Sequence, residues 1–572
     1  MAAPSYTEDL TDIDLAESAS TGWTAFNISG GGGGAPAFGA DLGMQGAGCW
    51  DKPCSAAERG LAVNKTPGTG TVAAGVHIYT WGFCATPGIT DNLATRGAYV
   101  IIGTSTTDFM QFHVEGNDTY GAGGRVGKCY VVDYVTTSNT GSIPYRTVNG
   151  TPGATPTYFG FGLKTTATAK GSNIGCDAIR YGTGAYITAG DATTPATFDG
   201  FATQNDSINN RWGIFTKIGT TYELQGAFAI GQDNTGTGTL AYFEDSDVSI
   251  NVVDTVHSAT DFTRFLIDHA STEVYWTNIL VTASGTNNRG YLEVVTDPTA
   301  FDQVGCVFTN FGTTTLTSSC TVLGNTYRGC DTVTQGGASF DGCTFDNTIS
   351  TTAALVTTGT TFGSVGSTLS NKFVGDGTTT PGHAVDAGSI TGGTVGSPLT
   401  LNWYNELDNG ATNQSVWEGS TQAATAGTQG TANSAITMNV AAGTYVKVSV
   451  AAGATIPTIQ NTGTGFLEIT ANEVTLTITV TESGTGSVIE GAMVYVTNAA
   501  ETATYINKVE TNASGQVSHT TSLGSAQTLA GKVRAATPAS KAYTKYYKTS
   551  PVAGTFSNVQ DTDITVQLIP DE

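Results

Sequence analysis

Charge is what this 572-residue sequence has least of: Asp, Glu, Lys and Arg together make up 12%, about half the ~25% usual in soluble domains. Basic residues are the scarcer sign, with 23 Lys and Arg against 47 Asp and Glu and a net charge of −24. Phosphate recognition needs clustered Lys and Arg, so no nucleic-acid partner is expected. The acidic balance suits a protein held soluble at high local copy number. No run of 18 apolar residues occurs, so no membrane-spanning segment is expected. Met1 to Ser20 has neither a basic n-region nor an apolar h-region, so no Sec signal is expected there. The nine Cys are odd in number and follow neither a zinc nor a small-disulfide spacing, which fits cytosolic synthesis with reduced thiols. Long Ala/Leu/Glu/Lys stretches, which favour helices, are nearly missing.

What is there points one way. Gly occurs 74 times, with Thr, Ala, Ser, Val and Asn dominating the rest, and 39% apolar residues suffice for cores. β-branched and small polar residues separated by Gly suit pleated strands and tight turns. The chain is expected to be all-β, and its length asks for three or four domains.

Residues 1–187 form the first expected domain. An acidic lead, Glu8-Asp9-Leu10-Thr11-Asp12-Ile13-Asp14, is followed by strand-like runs beginning at Val76, Ala98, Phe109, Tyr130, Tyr158 and Ile174. Strands at this spacing with Gly, Asn and Pro turns predict a sandwich or jelly roll. Glu17 ahead of Gly22-Trp23, closing with a strand that carries Asp177, Ile179 and Tyr181, is similar to galactose-binding-like jelly rolls. These include carbohydrate-binding modules in which an early Glu and a late Asp ligate a structural Ca²⁺. The resemblance implies Glu17 and Asp177 as calcium ligands; the alternative is a pair of solvated strand-end carboxylates. A glycan-binding module would also display aromatics on one face, with Trp50, Trp81 and Tyr120 as candidates, unless these rings are core.

From residue 188 to 470 short β runs alternate with Gly, Asn, Asp and Thr turns. Cys306, Cys320, Cys330 and Cys343 each open a short run, at spacings of 14, 10 and 13. Such steps predict stacked coils of a right-handed parallel β-helix, with the four Cys as small hydrophobes in an internal ladder. A metal site would want a C-x₂-C pair or a His in register, and disulfides between coils would need an oxidising compartment. Residues 402–470 are expected to be the last coils and a cap.

From 471 to 572 the alternation is clean, as in Val474-Thr475-Leu476-Thr477-Ile478. The strand Gly491-Ala492-Met493-Val494-Tyr495-Val496, the turn Thr511-Asn512-Ala513-Ser514-Gly515 and a closing Ile564-Thr565-Val566 resemble the carboxypeptidase-regulatory-like β-sandwiches. That resemblance implies an Ig- or transthyretin-like sandwich and no peptidase.

The order of modules also resembles modular bacteriophage virion proteins. The segments that carry this are the acidic lead into Glu17 and Trp23, Asp177-Ala178-Ile179-Arg180-Tyr181, Asn210-Arg211-Trp212, Asn405-Glu406-Leu407-Asp408 and Ile456-Pro457-Thr458. The resemblance implies a virion protein, a capsid decoration, fibre or tail appendage acting in assembly, stabilisation or host attachment. It implies other virion proteins as partners and a homotrimer; host surface glycans are a further expected partner.

No catalytic motif stands out. The six His lie outside any H-E-x-x-H or Gly-x-Ser-x-Gly context. His383 lacks the Asp-Asp pair and Arg-x-Lys of a β-helix glycosidase. Asp302, Asp331, Asp341 and Asp346 could pair as acid and base across coils, or serve as turn formers. Lys541, Lys545 and Lys548 with Tyr543, Tyr546 and Tyr547 form a small basic cluster for an acidic neighbour or for solvent. The expectation is a non-enzymatic display protein, with a tail fibre or tailspike that binds or degrades glycans as the alternative.

Overall fold

The computed structural model describes the chain apart from residues 1–2, 21, 30–34, 40–42, 44–45, 47, 55–57, 65–75, 85–92, 116–126, 135–145, 154, 166–171, 208–211, 234, 237–240, 254–262, 285–289, 347–354, 357–360, 363–370, 452, 472, 524–525, 536–545, 558–560 and 572. The fold is almost entirely β, as expected, and divides into two units, Met1–Leu355 and Val356–Glu572. Among the described residues no helix is long and apolar enough to cross a membrane.

The first unit opens with a jelly-roll sandwich. One sheet runs Gly127–Tyr134, Val76–Cys84, Ser172–Gly182, Cys49–Cys54 and Ala37–Gly39, with Thr11–Asp14 also pairing to Ser172–Gly182. The other runs Arg146–Asn149, Phe109–Glu115, Leu93–Gly103, Tyr158–Thr165, Glu58–Asn64 and Trp23–Ser29. All these pairs are antiparallel, so alternate residues face inward. Ile78, Val100, Ile102, Met110, Phe112, Tyr130 and Phe161 meet between the sheets.

On the Val76–Cys84 strand the other set, His77, Tyr79, Trp81 and Phe83, points away from that core and is nevertheless buried. The coils that follow reach this face at Tyr79. A Cβ on Gly226 would stand 2.6 Å from the Tyr79 hydroxyl, so only a glycine, here at φ +76°, lets the backbone approach that ring. The Gln225 carboxamide donates to the Cys129 carbonyl at 2.9 Å and accepts from Val131 N–H at 3.3 Å. Sandwich and coils therefore share a buried, hydrogen-bonded junction.

The coils form a parallel β-helix of three sheets. The first contains Ala185–Ala189, Ala227–Ile230, Thr263–Asp268, Gly290–Thr296, Thr314–Thr315 and Val333–Thr334. The second contains Thr221–Leu224, Ser249–Val253, Leu280–Ser284, Val307–Thr309, Thr326–Arg328 and Thr344–Asp346. The third contains Tyr242–Ser246, Glu273–Thr277, Ala300–Val304, Cys320–Leu323 and Ser339–Asp341. In the second sheet, Ser249 pairs with Leu280, Leu280 with Val307, Val307 with Thr326 and Thr326 with Thr344, so a coil shortens from 31 residues to 27, 19 and 18. Inward rings stack directly: Phe308 on Tyr327 at 5.2 Å and 7°, and Tyr327 on Phe345 at 5.2 Å and 9°. Stacked pairs of this kind contribute roughly 0.5–1.5 kcal/mol beyond their area.

The four expected ladder cysteines are all buried, but they do not form one ladder. Cys306 and Cys343 occupy the same corner two coils apart, with Asn325 between them; Cys330 sits at a different corner and Cys320 opens a strand. Their spacings of 14, 10 and 13 are therefore not the coil period. The true register mark is a left-handed residue at one corner of each coil: Asp247, Asn278, Gly305, Gly324 and Gly342, all with φ between 53° and 67°. Asn and Asp enter this conformation more readily than other residues with a Cβ.

An α-helix that the composition did not lead us to expect, Phe198–Asp206, closes the first coil. Thr197 caps it, accepting from Gly200 N–H at 3.0 Å, and Asp245 accepts from Phe198 N–H at 2.8 Å. Phe198 and Phe201 pack into a cluster with Phe215, Phe228 and Phe243. The helix thus shields the apolar end of the stack.

In the second unit, Thr361–Phe362, Leu399–Trp403, Tyr445–Val450 and Phe466–Ala471 pair in parallel, and Gln422–Ala426 adds antiparallel to the last. Val385–Ile390, Ile436–Val440 and Ile459–Asn461 form a second parallel sheet of coils. A sandwich follows. Gln516–Ser522, Glu473–Glu482 and Thr562–Leu568 make one sheet; Thr504–Glu510, Met493–Asn498, Gln527–Arg534 and Ser550–Phe556 make the other. Its core is Val474, Leu476, Ile478, Val480, Val494, Val496 and Phe556 with their neighbours. The turn read from Thr511 to Gly515 is present, with Asn512 accepting from Ser514 and Gln516 N–H and Gly515 at φ +70°.

Candidate functional site

Of the expected calcium ligands, Asp177 lies on the central strand Ser172–Gly182, within the register shift between Cys176 and Ile179. Asp177 is fully buried and accepts from Ala178 N–H at 2.7 Å, while Glu17 accepts from Gly48 N–H at 3.0 Å. Both are near the Cys49 thiol, which burial, then Asp177, Asp51 and Glu17 push up to about 12. The donor set is hard oxygen, as calcium requires. Among the described residues, however, no group of three or more His, Cys, Asp or Glu is arranged to hold a metal. A calcium ion there would draw most of its ligands from backbone carbonyls.

The expected glycan platform is corrected at two of its three rings. Trp50 is 7% exposed and packs against Trp23 at 6.2 Å and Phe38 at 6.0 Å. Trp81, also 7% exposed, is buried on the strand face that points away from the sandwich core. Rings enclosed in this way present no open face to a sugar. Tyr120 lies outside the described residues, as do Lys541, Tyr543 and Lys545. His113 is a half-buried sheet residue hydrogen-bonded to Thr147 Oγ1 at 3.0 Å, and His383 meets the Ser434 carbonyl at 2.7 Å.

The outer face of the third sheet holds the most concentrated chemistry. Parallel register sets Tyr242 beside Glu273, and Glu244 beside Tyr275, which is followed in the same row by Asp302 and Thr321. Inward Phe243, Val274, Trp276 and Phe301 fix these strands, so the alternate residues face out. The Tyr242 and Tyr275 rings lie 5.3 Å apart at 41°, and Tyr275 Oη donates to Glu273 Oε2 at 3.0 Å. Burial and the carboxylates of Glu273 and Asp302 raise the Tyr275 hydroxyl to about 12; burial with Glu244 and Glu273 also raises Tyr242. The result is a half-exposed aromatic pair framed by three carboxylates, able to stack on an apolar ring face and accept from hydroxyls.

Of the four acids expected on the coils, only Asp302 belongs to this patch. Asp346 lies on the second sheet, 3.9 Å from Arg328. Asp341 closes a strand of the third sheet in the row of Val304 and Leu323. Asp331 follows Cys330 at the other corner. Tyr242, Glu244, Glu273 and Tyr275 escaped sequence reading. Their signal is Tyr-x-Glu on one strand and Glu-x-Tyr on the next, and it becomes visible only once the coil length aligns them.

No family model matches the chain, and no curated protein does. Among solved structures, an exo-beta-agarase is similar at a TM-score of 0.20 and 8% identity, covering 31% of this chain and 25% of that one. The chain thus spans a quarter of the agarase's length. The Agl-KA catalytic domain is similar at a TM-score of 0.17 and 11% identity, covering 82% of this chain and 98% of that one. Likenesses at these scores carry no activity to this chain. The expectation of a non-enzymatic protein is withdrawn.

Proposed function

We propose that the chain is a surface-displayed structural protein of a bacteriophage particle, a capsid decoration, fibre or tail appendage acting in assembly, stabilisation or host attachment. The observation that carries the reading is the junction in the first unit. His77, Tyr79, Trp81 and Phe83 are buried on the strand face away from the sandwich core, Gly226 of the coils closes on Tyr79, and Gln225 bridges the two, so the module cannot swing freely on its coil stack. A net charge of −24 supports solubility at high local copy number. Other virion proteins as partners, a homotrimer and a structural calcium at Glu17 and Asp177 belong to the same proposal. A reconstruction of purified particles tests it: icosahedral copies indicate capsid decoration, a few copies at one vertex indicate a tail appendage, and absence from particles sinks the reading.

A second reading rests on the outer face of the third sheet, namely contact with, or cleavage of, host surface glycans. Glu244 and Asp302 are two strands apart in one row, or about 9–10 Å between backbone positions at ordinary strand spacing. Carboxyl groups reaching inward from such positions fall in the ~6.5–9.5 Å range of an inverting glycosidase. Glycan-array binding and reducing-end release, each with Tyr275→Ala and Asp302→Asn, test this reading. Binding that survives both substitutions removes the face from consideration.

A further inference from the structure

The C-terminal sandwich carries a feature at odds with the rest of the chain. Lys508, Lys532 and Arg534 line one groove of about 420 Å³ on the outer face of the four-stranded sheet, together with Tyr495 and Met493. In a sequence with 23 basic residues among 572, three of five lining residues are cations. Strand pairing places them: Tyr495 lies opposite Lys532 and Met493 opposite Arg534, all facing away from inward Val494, Val496 and Val533.

Lys508 joins them through an irregularity. Val494 pairs with Val509 but Tyr495 pairs with Asn507, so Lys508 is an extra residue, held at φ +58°. A bulge of this kind re-aims a side chain, and the left-handed backbone of a residue with a Cβ is retained at a cost. Among the described residues no carboxylate lies within ion-pairing distance of the three cations, Glu510 on the neighbouring strand included. The Arg534 guanidinium instead rests 3.8 Å from the Met493 sulfur.

We propose that this groove binds a sugar acid, a pyranose unit bearing a carboxylate or sulfate. The three cations supply charge complementarity, with Arg534 offering the fork that suits a planar carboxylate. The Tyr495 ring and the Met493 thioether give an apolar wall for the sugar's C–H face. The volume is that of a small-ligand site. A protein partner would need roughly 800 Å² of its surface to be covered, far beyond a five-residue cradle. The proposal is independent of the reading of the coil face.

Calorimetric titration of the full chain tests it, using a galacturonate tetramer, the neutral galactose tetramer and a Glu-rich peptide. The acidic saccharide is expected to bind saturably, more weakly as salt rises, and the other two not to bind. Lys532→Gln with Arg534→Gln is expected to weaken binding by about tenfold or more through lost charge-assisted hydrogen bonds, with an unchanged melting temperature. Arg534→Lys should retain part of it. Absence of saturable binding, equal binding of the neutral tetramer, or equal binding of the peptide would overturn the proposal. So would loss of binding in Tyr275→Ala with retention in the double variant, which would assign the sugar to the coil face.

Discussion

In the corner between the coils of Cys306 and Cys343, the Asn325 carboxamide accepts from Cys306 N–H at 2.8 Å and donates to Gln303 Oε1 at 2.8 Å. Asn325 is fully buried, so its loss leaves two interior groups without partners. Asn325→Ala is expected to cost roughly 2–6 kcal/mol, at about 1–3 per buried orphan, read from urea unfolding. The neighbouring thiols give a pH signature. Burial raises Cys306 to about 11 and Cys330 and Cys343 to about 12, from an ordinary 9.0. The folded state therefore holds its protons where the unfolded chain releases them. The stabilisation is intact below pH 9 and is lost as pH rises towards 11–12, by about 1.4 kcal/mol per unit for each thiol. Melting temperatures measured from pH 8 to 11 should fall accordingly, and thiol reagents should label these Cys only on unfolding. Burial of the four Cys was legible from their small-hydrophobe setting. Their distribution over different coil positions was not, because Asn325 and Phe311 fill equivalent corners with unlike chemistry.

A helix of nine residues, Phe198–Asp206, was hidden from sequence reading by its Asp199, Gly200 and Asn205, all poor helix formers. It forms because Thr197 and Asp245 satisfy its first N–H groups and because Phe198 and Phe201 bury in the aromatic cluster. Thr197→Ala should cost about 1 kcal/mol and Phe198→Ala about 3–5 kcal/mol. The latter should also raise light scattering, since an uncapped coil end is a template for pairing. Strands, by contrast, were readable wherever apolar and polar residues alternate, as from Val474 to Val480. Corners follow a different rule. A Cβ placed on Gly324 would meet open space, and the residue has φ +67°, so only the backbone conformation resists substitution. Gly324→Asn should be close to neutral, since Asn278 occupies the same corner two coils earlier, whereas Gly324→Val should destabilise by more than about 1 kcal/mol. Denaturant midpoints of the two variants decide this.

At the scale of the molecule, composition alone gave the all-β class, because a chain short of helix formers and rich in Gly and Thr has few other ways to satisfy its backbone. The two-unit division was less visible, since both units contain parallel coils and a sandwich and no change of composition marks residue 355. Scanning calorimetry is expected to resolve more than one transition, as for chains with separate cores. The third-sheet patch and the C-terminal cradle stayed hidden for a shared reason: each is assembled by strand register, the first across 31 residues and the second by one extra residue in a strand.

The shortening coils have a consequence for how the chain is made. Partner strands in the first unit's β-helix stand 18 to 43 residues apart, and the plugging helix precedes the coils it covers. Pairings this local keep loop-closure costs small and contact order low for a β fold. Each new coil leaving a ribosome meets a finished one, which serves as its template, and the growing face is the only edge left open at any moment. Synthesis can thus proceed as addition to a capped seed, with translation itself setting the order of assembly.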